Sequence, residues 1–380
     1  MEVKVINVIY LDYSATTPAS KEVLDSFVNA NKFIGNPNSL HKLGIESKDL
    51  IDSATEQIKD ILGIKFSEII YTSGASESNN LAIKGICLKY QNRGKHIITT
   101  EFEHSSIYGP IGYLQSLGFE MDFVNTDSNG IVDLEHLKSL IREDTILVTI
   151  GAINSEIGII QPIYEIGEIV KKNPKCFYHV DATQGIGKIK LNLSNVDLVS
   201  FSAHKFFGIK GIGVLIKKDK VTLEPLIHGG KSTTIYRSGT PTTALIASLS
   251  KALRLAYEDL DSHYEYVSSL NKKVVEKLSN YENVYINSND KCLPHILNIS
   301  VISVKPETML HALEEYEVYI STQTACSSNT DISKSVLALT KSEDRAKSSL
   351  RISISYKTTE EEIDEFLNYF DLCYKKLILK

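Results

Sequence analysis

From about residue 65 to 217 the chain alternates between two hydrophobic patterns. Short, nearly continuous apolar runs are separated by longer stretches in which apolar residues recur every three or four positions. The short runs are EIIYTS (68–73), HIITTEF (96–102), EMDFV (120–124), TILVTIGA (145–152), CFYHVDA (176–182) and DLVSFSA (197–203). Between them lie ESNNLAIKGICLKYQ (77–91), a segment ending near Gly118, DLEHLKSLI (133–141) and IYEIGEIVKK (163–172). The runs predict strands and the periodic stretches predict helices. Such alternation predicts an α/β architecture with a mostly parallel sheet covered by helices. Ligands in sheets of this kind lie beyond the carboxyl ends of the strands. Ser73, Glu103, Asn154, Asp181 and Lys205 all fall at or just past predicted strand ends.

Beyond residue 217 the pattern changes. A long helical stretch from about 241 to 280 leads into LPHILNISVI (293–302) and SLRISIS (349–355), which predict strands. ETMLHALEEY (307–316) and EEEIDEFLNYFDLCYKKL (360–377) predict helices around them. This region reads as a smaller α+β domain. No internal repeat, low-complexity tract or Pro/Gly/Ser-rich linker interrupts the chain, and its 380 residues suit two domains.

Composition narrows the classes further. Hydrophobic residues make up 42% and charged residues 23%, as in a soluble globular protein with a large core. The net charge of -6 argues against a nucleic-acid binder, which needs a basic face. The opening MEVKVINVIYLDYS lacks the basic start and apolar stretch of a signal peptide, and no apolar run approaches the ~20 residues of a membrane span. A cytoplasmic protein without membrane contact is expected. The five cysteines, Cys87, Cys176, Cys292, Cys326 and Cys373, are scattered and form no CxxC pair, so neither a zinc site nor a disulfide framework is expected.

Candidate chemistry gathers around Lys205, in SFSAHKFFGIKGIGVL, and Asp181, in HVDATQG. A strand-end lysine flanked by Ser202 and His204 suits a Schiff-base lysine. An acid ending the preceding strand suits the partner of a pyridinium nitrogen. Together they point to a pyridoxal phosphate site. The run SGASESNN (73–80) joins a strand to a helix; its small residues admit an anion to backbone N–H groups, with Ser76 either a phosphate ligand or an ordinary helix cap. Gln184 and Asn154 are placed to reach the ring's 3′-oxygen, and His104 to stack on the ring or move protons. Cys326 sits in STQTACSSNTDISK, a polar, loop-like stretch, whereas the other four cysteines lie in or beside apolar segments. An exposed thiol of this kind can form a thiolate and reach a substrate. Arg351, on a predicted strand, carries a fork that matches a carboxylate.

These motifs, in order, resemble the cysteine desulfurases of the NifS/IscS-like group, class V aminotransferase-like enzymes. The resemblance rests on YLDYSATTP (10–18), GNPNSLH (35–41), SGASESNNLAIKG (73–85), EH (103–104), NSEIG (154–158), HVDATQ (179–184), SFSAHK (200–205), HGG (228–230), RSGT (237–240), ACSS (325–328) and TTEEEID (358–364). It implies fold type I, aspartate aminotransferase-like: a large domain with a mostly parallel seven-stranded sheet over 16–255, and a small domain from 1–15 and 256–380 that carries the Cys326 loop.

The resemblance also implies roles. Lys205 would carry pyridoxal 5′-phosphate, with Ala75, Ser76, Ser202 and His204 on its phosphate. Asp181, Gln184, Asn154 and His104 would engage the ring. Thr240 would reach the cofactor of the neighbouring subunit in a homodimer. Arg351 and Asn36 would bind the carboxylate of L-cysteine, and Cys326 would take the sulfur as a persulfide, leaving alanine. The sulfur would pass to an acceptor protein for iron–sulfur cluster assembly or for thiolation of tRNA or cofactors. No resident metal is implied, with transient iron–sulfur ligation by Cys326 left open. Several positions depart from the usual pattern: HGGKST after the second glycine, Ser76 for threonine, Ser155 for asparagine, Ser355 for glycine, and Gln323–Thr324 before Ala325. The chain also ends soon after its last predicted helix, without the extension by which iron–sulfur housekeeping members dock their scaffold. A selenocysteine lyase or a class V aminotransferase on the same fold is the alternative enzyme, and an inactive, cofactor-bound interaction protein is the alternative of another kind. A transaminase has no use for the Cys326 thiol.

Overall fold

The computed structural model describes residues 8–322 and 332–378 of the chain. Its strands are β1 (Ile9–Tyr10), β2 (Ser67–Thr72), β3 (His96–Thr99), β4 (Glu120–Phe123), β5 (Thr145–Thr149), β6 (Phe177–Asp181), β7 (Leu198–Ser202), β8 (Gly213–Lys218), β9 (Val284–Ile286), β10 (Ile296–Val301), β11 (Val318–Tyr319) and β12 (Ser349–Ser353). Seven of them form one sheet in the order β2-β8-β7-β6-β5-β3-β4. The run from β7 to β4 is parallel, and β8 is antiparallel to both β7 and β2. The mostly parallel seven-stranded sheet expected for fold type I is therefore present.

Every residue of β3, β5 and β7 is buried, because helices cover both faces of the sheet. The side-chain alternation of β8 separates two cores: Val214 and Ile216 point into one with Ile58, Tyr178 and Leu253, and Leu215 into the other with Leu81, Ile86 and Leu114. Helix Lys42–Leu62 contributes to the first. It begins at His41, whose Nδ1 accepts from Gly44 N at 3.2 Å, and ends at Gly63, in the left-handed conformation at φ 66.

The helical stretch expected over 241–280 is two helices, Thr243–Glu258 and Leu260–Leu278, broken at Asp259. The break has a packing reason. Ile246, Leu249 and Leu253 face the core of the large sheet, whereas Val267, Leu270 and Val274 face a separate core built on β10 and β12. One straight helix would not present both faces. In that second region β10 lies antiparallel between β9 and β12. The N-terminal strand joins it: β1 pairs in parallel with β11, and Ile9 and Leu11 enter the core with Leu297, Ile352 and Phe366.

Residues 12–17 then cross from this second region over the ends of β6 and β7. Ser14 N donates to Ser353 Oγ at 2.9 Å, and Thr17 N to the His204 carbonyl at 2.9 Å. Thr17 Oγ1 accepts from Phe207 N at 2.7 Å. Phe207 has φ 62, a left-handed conformation that costs a bulky residue free energy. The hydrogen bond from Phe207 N to Thr17 Oγ1 and that from Ser20 N to the Phe207 carbonyl hold this turn, two residues after Lys205.

Candidate active site

A cavity of about 570 Å³ opens at the carboxyl ends of β6 and β7. Ala75, Ser76, His104, Asn154, Asp181, Gln184, Ser202, His204, Lys205 and Arg351 all line it. Ten residues spread over the sequence thus converge where the strand-end rule places a ligand.

One end of the cavity is the start of helix Ala75–Tyr90. Its N-cap is Gly74, which supplies no side-chain capping hydrogen bond. The N–H groups of the first turn are thereby left without a side-chain cap where the helix start lines the cavity, an arrangement that suits an anion. The backbone here is crowded: a Cβ on Gly213 would lie 2.6 Å from Gly74 Cα, so glycine is required where β8 passes beneath the helix start. Ser76 lies in this first turn, Ser202 Oγ would lie 3.6 Å from a Cβ on Gly74, and His204 lines the same cavity. His204 Nδ1 lies 3.1 Å from Thr16 Oγ1, and burial, aided by Lys205, lowers its imidazole to about 4. A neutral imidazole there can donate to an anion through Nε2.

Asp181 ends β6 with both oxygens engaged: Oδ1 accepts from Thr183 N at 3.0 Å, and Oδ2 from Asn79 Nδ2 at 2.7 Å. His104 caps helix Ser105–Gln115, its Nδ1 accepting from Ser106 N at 3.1 Å. That bond leaves the ring proton on Nε2 in the neutral form. Burial pushes the imidazole below its usual value. Beside it, Glu103 receives Thr100 Oγ1 at 2.7 Å and Gly151 N at 3.0 Å, and burial raises its carboxyl to about 7.

Lys205 Nζ donates to the carbonyls of Ser14 at 2.5 Å and Ala15 at 2.9 Å. Gln184 Nε2 donates to the same Ser14 carbonyl at 3.0 Å, and its Oε1 accepts from the buried Lys188 Nζ at 2.7 Å. One Nε2 hydrogen of Gln184 remains for a ligand. Asn154 is differently placed. Its Oδ1 accepts from Glu156 N and Ile157 N, and its Nδ2 donates to the Phe102 carbonyl at 2.8 Å and Ser335 Oγ at 3.2 Å. It borders the cavity with both amide hydrogens committed.

At the far side Arg351 Nη2 pairs with Asp12 Oδ1 at 2.8 Å, Nη1 donates to the Ser155 carbonyl at 3.0 Å, and Nε is buried with no partner among the described residues. Two expected residues lie elsewhere. Asn36 is exposed, its Oδ1 accepting from Asn38 N at 3.0 Å. Thr240 is exposed in a segment held by Arg237, whose Nε meets Glu77 Oε1 at 3.0 Å. Cys326 lies outside the described residues. The sequence reading did not single out Asp12, Asn79, Ser106, Lys188 or the Ser14 and Ala15 carbonyls. The motifs YLDYSATTP and SGASESNN contain three of these side chains or carbonyl pairs without showing what they touch.

The residues fit pyridoxal phosphate: an uncapped helix start with hydroxyls for the phosphate, a strand-end carboxylate for the ring nitrogen, and a lysine amine on the cavity wall. Among the described residues no group of three His, Cys, Asp or Glu could hold a metal ion, and no helix is long and apolar enough to cross a membrane.

Comparison with known proteins agrees with this chemistry. The family model described as aminotransferase class-V matches residues 9–366. The cysteine desulfurase IscS of Buchnera aphidicola subsp. Schizaphis graminum is 42% identical over 367 residues, covering 94% of this chain and 90% of the relative. A solved NifS-like protein superposes with a TM-score of 0.91 at 36% identity, over 98% of this chain and 100% of its own. The structure of SspA in complex with cysteine superposes at 0.81 with 32% identity, over 92% of this chain and 99% of its own.

Proposed function

This chain belongs to the class-V aminotransferase family, and from that premise we propose that it converts L-cysteine to L-alanine and hands on the sulfur. It is a cysteine desulfurase. The observation that carries the reading is the meeting of Lys205, Asp181, His104 and Arg351 around one cavity, in a chain similar throughout to enzymes of that name.

Pyridoxal phosphate would sit with its phosphate at the start of helix Ala75–Tyr90, beside Ser76, Ser202 and His204. Asp181 would meet the ring nitrogen, Gln184 would offer its remaining N–H to the 3′-oxygen, Asn154 would border the ring, and His104 would lie over it. When bound, the cofactor supplies an electron sink that lets bonds at the cysteine α- and β-carbons break.

The protein's own groups do the rest. Arg351, oriented by Asp12 and Ser155, binds the substrate carboxylate, with Asn36 the proposed second contact. The Lys205 amine, steadied by two backbone carbonyls, accepts the α-proton. His104, with its proton on Nε2, would pass a proton at the substrate sulfur. Cys326 is proposed as the nucleophile: its thiolate forms an S–S bond as the substrate C–S bond breaks, and the remaining three-carbon fragment gains protons to leave as alanine. A thiol or acceptor protein then takes the terminal sulfur.

The proposed domain division is 16–255 for cofactor binding and 1–15 with 256–380 for the unit bearing Cys326, supported by their separate cores. The proposed working form is a homodimer in which Thr240 meets the partner's cofactor phosphate. The proposed setting is the cytoplasm, in keeping with free thiols at Cys87, Cys176, Cys292 and Cys373. The reading predicts alanine and sulfide from L-cysteine with pyridoxal phosphate and a reductant; cofactor-loaded protein that makes neither would overturn it.

A further inference from the structure

Asn79 lies one turn into helix Ala75–Tyr90 and is fully buried. Its Nδ2 donates in two directions, to Asp181 Oδ2 at 2.7 Å and to Ser106 Oγ at 2.8 Å. Ser106 Oγ is in turn 2.8 Å from His104 Nδ1. Because Oγ accepts from Asn79, its own hydrogen is available to His104 Nδ1, which also accepts from Ser106 N. A single amide thus joins the carboxylate at the end of β6 to the imidazole at the start of the next helix. Among the described residues Asn79 Oδ1 has no hydrogen-bond partner. An apolar side chain would fill the same volume without leaving a buried carbonyl unpaired. The arrangement is therefore poor as packing and specific as a donor bridge.

We propose that Asn79 is a positioning residue for the desulfurase reaction, holding Asp181 in register with the cofactor ring nitrogen and, through Ser106, fixing His104 as the Nε2–H tautomer. The proposal rests on the cofactor-site reading above. The two arms are separable. Asn79→Leu removes both, and Ser106→Ala removes the His104 arm while leaving Asn79 on Asp181.

The test uses the intact protein loaded with pyridoxal phosphate. In Asn79→Leu, loss of one hydrogen bond to a charged group weakens cofactor affinity by about tenfold. The pH at which the bound cofactor's visible band titrates rises by about one unit, since a less firmly protonated ring withdraws less charge from its link to Lys205. Ser106→Ala leaves that titration unchanged and lowers kcat. The double variant is no slower than Asn79→Leu, because both remove the same His104 support. Native titration and affinity in Asn79→Leu, or strictly additive rate losses, would overturn the proposal. A merely structural role would lower thermal stability without moving the band. A second measurement is independent of the cofactor: the ¹⁵N shifts of His104 in the cofactor-free native protein should report Nε2–H, and cofactor-free Asn79→Leu should show a measurable shift toward Nδ1–H; an Nδ1–H signal in the native protein, or identical shifts in the two proteins, would contradict the His104 arm of the bridge. If the native protein instead binds no pyridoxal phosphate, the cofactor reading fails while this comparison of tautomers still decides the His104 arm.

Discussion

Arg351 and Asp12 face each other across the seam between β12 and the segment following β1, with Nη2 2.8 Å from Oδ1. Arg351 is 3% exposed, yet it lines the cavity. A buried guanidinium needs its donors satisfied, and here Asp12 and the Ser155 carbonyl fix the fork while the cavity side is left for a substrate carboxylate. Lysine carries the charge without the fork. Arg351→Lys is therefore expected to raise KM for cysteine by about tenfold or more, the worth of one or two charge-assisted hydrogen bonds. Steady-state kinetics check this, and an unchanged KM would remove Arg351 from substrate binding.

Lys205→Ala removes the amine that would hold pyridoxal phosphate covalently. The cofactor's absorbance band in the visible should vanish or shift to that of a free aldehyde, and turnover should fall to background. A band persisting unchanged would show that another amine carries the cofactor.

Glu103 supplies a pH dependence with a definite sign. Burial raises its carboxyl from an ordinary 4.5 to about 7. The folded state therefore holds a proton that the unfolded state releases between these values. The stabilisation is complete below pH 4.5 and is lost as pH rises to 7. Glu103→Gln cannot titrate. Relative to the native protein, the variant should gain stability between pH 5 and pH 8, by at most about 3 kcal/mol at 1.36 kcal/mol per pKa unit. Melting of both cofactor-free proteins at the two pH values measures this; a difference that does not change with pH would contradict it.

The segment bearing Thr240 is tied to the first turn of helix Ala75–Tyr90 by the Arg237–Glu77 ion pair, yet Thr240 itself is exposed within one chain. Sedimentation should show a dimer under assay conditions, and Thr240→Val should weaken cofactor binding several-fold, the effect of one lost hydrogen bond to a phosphate. A stable, fully active monomer would rule out the role given to Thr240.

Much of this architecture is legible in the sequence because buried strands and amphipathic helices have different periods. The strands ending at Thr72, Asp181 and Ser202 appear as apolar runs, and their ends bring Ser73, Asp181 and Lys205 together by a rule of topology. What escaped was set by long-range contact. The antiparallel direction of β8 leaves no mark, because its alternating Val214, Leu215 and Ile216 would suit either direction. The break at Asp259 has neither glycine nor proline beside it and follows from the two cores its helices must reach. Asn79 reads as one more polar residue of a helix start until helix Ser105–Gln115 and β6 are seen to close around it. The left-handed Phe207 is likewise a tertiary outcome, held by Thr17 far earlier in the chain.

The most direct test of the central claim is the release of alanine and sulfide from L-cysteine, with pyridoxal phosphate and a thiol reductant, by the native protein and by Cys326→Ala. Equal amounts of the two products are expected from the native protein, and loss of both in Cys326→Ala while the visible band of bound cofactor is retained. No sulfide from native protein with its cofactor bound, or undiminished sulfide from Cys326→Ala, would contradict it.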